Sequence, residues 1–324
     1  MVQQRNSNVE LLRFFLMTAI CVWHIIIHGF GYLKSDTDSN LLLVSFCCAL
    51  LSPAVYCFMF ISGWYGIKFS LKKYAHLAAM AFTCFFLSIV IRYFWTGISP
   101  AIVVEFFFPI SCSFWWFLTC YVMVFLVAPF INLGFEQLEA KILNQIMAIM
   151  TFMEIVCLIN LIPNRGSSFF GLLYIYCLGR YLNKINFSVS NIKLISTYIL
   201  SLVILWASIY WGYDVIFNGS KLSFILLSYN NPCIILMAIC IFLLCQKLKP
   251  TYNKGINSIL SNVLAIYLLT EGIGEPLYHY LANTINHHWI LGVLVLFAVM
   301  FSALLVGKLT TKCFNWVWRT LAIS

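Results

Sequence analysis

Three residues near the start of the chain have the types and spacing to do chemistry together. Glu10, Arg13 and His24 occur in the otherwise apolar run VELLRFFLMTAICVWHIIIH. An imidazole takes and returns protons near neutral pH, and it can carry an acyl group as a nucleophile. A guanidinium presents a planar fork of donors that suits phosphate. In a helix, the eleven-residue spacing from Arg13 to His24 is close to three turns. Both then lie on one face, about 16 Å apart along the axis. Glu10, three residues before Arg13, can pair with it and fix its rotamer. Each residue also has a plainer reading: Arg13 can snorkel to a membrane interface, and His24 can make an interhelical hydrogen bond.

A fourth candidate comes late, in SNVLAIYLLTEGIGEPLYHYL. Glu271 can orient an imidazole and stabilise its charged form, as the carboxylate does in a catalytic triad. It can equally be a buried acid paired with some other helix. Glu275 is one turn on, and Pro276 is expected to kink or end the helix there. Glu154 reads as structural. The His287-His288 pair reads as a loop, with metal binding the lesser alternative. The thirteen cysteines lie mostly in apolar runs and show no zinc-type spacing, so they read as small buried hydrophobes and no metal site is expected.

The elements that must position these groups are membrane helices. Apolar residues make up 63% of the chain and charged residues 9%, against roughly 25% charged in a soluble domain. Apolar runs of about 20 residues without period-2 alternation select transmembrane helices. The expected spans are 9–29, 41–66, 74–96, 114–133, 142–162, 168–183, 191–213, 224–246, 258–281 and 289–307, with 98–112 re-entrant or interfacial. The fold class is therefore an all-α polytopic bundle of about ten spans, a single domain over 1–324. With the N-terminus inside, only Lys34, Arg92, Arg165 and Lys221 fall outside, leaving fifteen of the nineteen basic residues inside. The positive-inside rule then places both termini in the cytoplasm. Aromatic clusters near span ends, such as Trp64-Tyr65 and Trp115-Trp116, suit interfacial belts. The formal charge of +9 is spread between apolar runs rather than gathered on one face, which argues against nucleic acid. The first apolar run, with Glu10 and Arg13 inside it, reads as a retained span and not a cleaved signal. In that topology the spans holding His24 and Glu271 both run outward. The two side chains come to similar depth if their helices are neighbours.

Four ordered segments carry a resemblance. Glu10-x-x-Arg13 followed by His24 resembles the first-helix signature of the membrane acyltransferase-3 family. FMFISGWYG (58–66) is similar to its Phe-x-x-Ser-Gly segment. FWWFLTCYVMVFLVAPFIN (114–132) is similar to the Trp-Phe-Leu helix of its polysaccharide-modifying members. AIYLLTEG (265–272) is similar to its late Tyr-Leu-x-His-Glu segment. Two departures stand out: Lys72-Lys73-Tyr74-Ala75-His76 replaces an Arg-rich cluster, and Thr270 stands where His is common. The resemblance implies transfer of an acyl group, usually acetyl, from cytosolic acyl-CoA to a sugar hydroxyl. The acceptor is then a cell-envelope polysaccharide or its lipid-linked precursor, and the location the bacterial cytoplasmic membrane. It implies catalytic roles for His24, Glu271 and Arg13. Donor or substrate contacts are expected of Arg13, Glu10, Ser62, Lys72, Lys73 and Trp116, with plain topology signalling the alternative for the two lysines and close helix packing the alternative for Ser62. Acetyl-CoA enters as a donor substrate, and no bound cofactor is implied. A transporter or flippase of glycan precursors is the alternative, since it too would need intramembrane Glu, His and Arg.

Overall fold

The computed structural model describes residues 5–31, 40–97, 114–156, 166–217 and 220–321. The expected re-entrant stretch 98–112 and the end of the expected span 142–162 lie outside these residues. The helices begin where short polar side chains can accept from free backbone N–H groups. Asn6 caps α1 (Ser7–His24) by accepting from the Asn8 N–H at 3.1 Å. Ser70 caps α4 (Leu71–Trp95) from Lys73. Ser168 caps α7 (Phe169–Lys184) from Gly171.

Among the described residues, seven helical stretches are long and apolar enough to cross a bilayer: 7–29, 41–65, 71–95, 116–137, 191–211, 254–273 and 289–321. The protein is thus a helical, multi-pass membrane protein. The remaining expected spans correspond to the shorter helices α6 (Ala140–Val156), α7 and α10 (Pro232–Gln246). Large apolar side chains point outward, with Phe94 83% and Phe130 76% exposed, as lipid-facing surfaces require.

Three expected spans are not straight helices. The first ends in a π segment, Ile25–Gly29, closed by an i→i+5 bond from the Phe30 N–H to the Ile25 carbonyl. The second is broken at Ser52-Pro53 into α2 (Leu41–Leu51) and α3 (Ala54–Tyr65), because proline cannot donate to the preceding turn. The expected span 258–281 is three helices: α11 (Lys254–Leu260), α12 (Leu264–Ile273) and α13 (Glu275–His287). The second break falls at Gly274, whose φ of +69° is open mainly to glycine. Pro276 then serves the first turn of α13, where its missing N–H costs nothing.

The chain divides into two compact units. One comprises Met1–Gly31, Ser70–Thr119 and Pro250–Ser324. In it α1 is anchored at its start by Ser7, which donates to Asn257 Oδ1 at 2.9 Å and accepts from the Asn253 N–H at 2.7 Å. The π segment lies so close to α13 that a Cβ on Gly29 would sit 2.5 Å from the Tyr278 carbonyl oxygen. The long α14 (Trp289–Leu321) packs on α12 and α13.

The other unit comprises Tyr32–Phe69 and Cys120–Lys249. Its centre is α3 against α7, where Gly63 lets the Tyr176 backbone approach and Gly179 faces the Phe60 carbonyl. Tyr56 donates to Glu154 of α6 at 2.9 Å inside this core, so Glu154 has the structural partner that the sequence did not name. α5 (Trp116–Gln137) ends in this unit, with Pro129 inside it. α8 (Asn191–Trp211) and α10 pack side by side in the same unit.

Candidate active site

α1 is a continuous helix from Ser7 to His24, so Arg13 and His24 do share a face, about 20° apart around the axis. At the N-terminal end of α1, Arg13 Nη1 donates to Glu10 Oε1 at 3.3 Å, and Arg5 Nε lies 3.6 Å from the same oxygen. Glu10 is 3% exposed and Arg13 25%. The carboxylate thus fixes two guanidinium groups while leaving Arg13 open to solvent.

At the other end of α1, His24 meets the α12–α13 break. Its Nδ1 pairs with Glu271 Oε1, and the Tyr278 hydroxyl donates to the same oxygen. Tyr278 Oη is 3.2 Å from His24 Nδ1. Engaging Nδ1 with a carboxylate selects the tautomer with Nδ1–H, which leaves the Nε2 lone pair for a substrate. Trp23 and His28 wall the ring, each with its centroid 5.5 Å away. His28 itself stacks on Tyr278 and faces Glu275 at 4.0 Å. Two His–Glu pairs, 24 with 271 and 28 with 275, therefore climb the parallel helices one turn apart. Exposure rises from 13% at His24 to 36% at His28.

Thr270, in the place where the family often has His, is 2% exposed and bonds the Ile266 carbonyl at 2.8 Å. It packs on Cys21 at 4.0 Å. Trp116 is half-buried and edge-on to Phe117. Its neighbour Trp115, 1% exposed, packs beside Gly272 and Phe85. Lys72 and Lys73 are exposed in the first turn of α4. Ser62 lies in the other unit, where its hydroxyl bonds the Phe58 carbonyl at 3.2 Å and Gly63 makes the close helix contact. Also in that unit, Asn132, the last residue of the run FWWFLTCYVMVFLVAPFIN, donates to the Ile67 carbonyl at 2.9 Å. Tyr176 donates to Asn132 at 2.7 Å and accepts from the Ile67 N–H at 3.1 Å. This closed ring pins the turn that follows the Ser-Gly segment. Among the described residues, no group of three His, Cys, Asp or Glu could hold a metal ion.

Tyr278 was missed in the sequence. Seven residues of one continuous helix would set it about 10.5 Å along the axis from Glu271, so the spacing alone does not bring the two together. Trp115 and Trp116 look alike in the sequence, and only the packing separates the buried ring from the half-buried one.

Within one compact unit of this membrane protein, an imidazole is oriented by a carboxylate, and an arginine lies on the same helix face. Residues 6–311 match the acyltransferase-3 family, described as an acyltransferase domain, and the chain belongs to that family. It is a membrane acyltransferase. No curated protein and no solved structure matches the chain significantly.

Proposed function

We propose that the protein moves an acetyl or related acyl group from cytosolic acyl-CoA to a hydroxyl of a cell-envelope polysaccharide or lipid-linked sugar precursor. The bacterial cytoplasmic membrane is its site, crossed by ten spans with both termini in the cytoplasm. The observation that carries this reading is the His24–Glu271–Tyr278 cluster at the far end of the helix whose near end holds Arg13.

In the proposed reaction, His24 Nε2 takes the proton of the acceptor hydroxyl as its oxygen attacks the thioester carbonyl. Glu271 steadies the imidazolium that forms, and Tyr278 holds Glu271 in place. When the C–S bond breaks, the thiolate leaves and receives the proton from His24, so the cycle ends with ester and free thiol. Arg13, fixed by Glu10, pairs with a phosphate of the donor. Lys72 and Lys73 add positive potential at the cytoplasmic face, and Trp116 adds a substrate contact.

The test supplies labelled acetyl-CoA to membranes containing the protein and follows label into glycan or lipid-linked sugar. Label in the glycan fraction that disappears in His24→Ala, with the variant still inserted, supports the reading. Movement of glycan precursor across the membrane without covalent label would replace it with transport.

A further inference from the structure

One face of α4 carries a feature that the proposed reaction leaves unused. Phe85, Ser88, Arg92 and Trp95 recur at helical spacing and share that face. Ser88 abuts Gly272, the neighbour of Glu271. Trp95 stands edge-on to Tyr280 with centroids 5.6 Å apart. α4 therefore runs parallel to α12 and α13, and Arg92 lies on it four residues, about 6 Å, beyond the level of Gly272. Among the described residues, its buried Nε has no hydrogen-bond partner. Both carboxylates on the facing segment turn the other way, Glu271 to His24 and Glu275 to His28. A second donor-only group waits nearby: among the described residues, Trp115 Nε1 is also buried and unpartnered. Its Cζ2, two bonds from Nε1, would lie 3.6 Å from a Cβ on Gly272.

Buried N–H donors left unmatched are costly, and a cation within a membrane span costs more. Two such donors beside a carboxylate–imidazole pair call for a ligand rich in acceptor oxygens. We propose that Arg92 binds an oxyanion of the acyl acceptor, so that the acceptor is an anionic glycan or glycolipid. Its phosphate or carboxylate sits on the same sugar as the reacting hydroxyl or on the next one, and Trp115 Nε1 donates to a neutral oxygen closer to Glu271. The assignment rests on the acyl-transfer reading for its ligand, but its test needs no turnover.

The purified protein in phosphatidylcholine nanodiscs is titrated with octyl glucoside, octyl glucuronide and octyl phosphate. The wild type is expected to bind at least one anionic amphiphile about tenfold or more tighter than the glucoside, the scale of one charge-assisted hydrogen bond. Arg92→Gln removes that preference and keeps glucoside binding and the unfolding midpoint, while Arg92→Lys keeps part of it. No preference in the wild type, or the same preference in Arg92→Gln, overturns the proposal. Adding phosphatidylglycerol to the nanodisc separates the two phosphate sources. If the preference vanishes there, a lipid headgroup occupies Arg92 and the acceptor assignment falls. Absence of labelled glycan in the membrane assay with the anion preference intact would sink acyl transfer alone.

Discussion

His24 and Tyr278 stand edge to face, ring centroids 5.4 Å apart, with the hydroxyl 3.2 Å from Nδ1. One group sits at the end of the first helix and the other beyond the α12–α13 break, and both bond the same oxygen of Glu271. The relationship makes Tyr278 a positioning residue, and it sets up a graded series of substitutions.

Glu271→Gln keeps the shape of the side chain and loses the charge that favours Nδ1–H and the imidazolium. Transfer should fall about a hundredfold or more, with KM for acetyl-CoA nearly unchanged. A loss confined to KM would remove Glu271 from its assigned place beside the base.

Tyr278→Phe deletes one hydrogen bond from the cluster, worth about 0.5–1.5 kcal/mol. The expected drop in kcat is therefore only about two- to tenfold, in a protein that still folds. Adding it to Glu271→Gln should cost little more, because both act through the same imidazole. Full additivity in the double variant would contradict the shared role.

Arg13→Lys retains the charge and loses the fork. KM for acetyl-CoA should rise by about tenfold while kcat holds, since one bidentate contact is replaced by a point charge. Acetyl-CoA lacking its phosphates, offered as an acetyl-pantetheine thioester, should show no difference between the two proteins.

Tyr56→Phe addresses the other unit. It leaves the buried Glu154 carboxyl without its hydroxyl partner, at a cost of about 1–3 kcal/mol. Thermal unfolding in detergent should register the loss. Replacing both residues, as Tyr56→Phe with Glu154→Leu, should recover much of it, because a polar pair swapped for apolar packing strands no buried group.

The parts of the site that one helix carries were legible in the sequence. Arg13 and His24 could be placed on one face because periodicity alone does so, and the matching depth of Glu271 followed from charge counting and helical rise. What was hidden depends on breaks and on long-range packing. The run 258–281 reads as one apolar span, yet Gly274 divides it, and that break swings Tyr278 back toward Glu271. Glu154 had no visible partner because Tyr56 lies nearly a hundred residues away. The Asn132–Tyr176–Ile67 ring joins three separate segments. Arg92 counted only as an outside charge, since nothing local shows that its Nε is left without an acceptor.

The π segment at 25–29 acts as a phase setting in the first helix. It holds one residue more than an α-turn would, which shifts the phase of the residues at its end, His28 included, relative to an uninterrupted helix. Deleting one residue there would leave Arg13 and His24 where they are and swing His28 off Glu275. The His24–Glu271 and His28–Glu275 pairs are thus separable by a single codon.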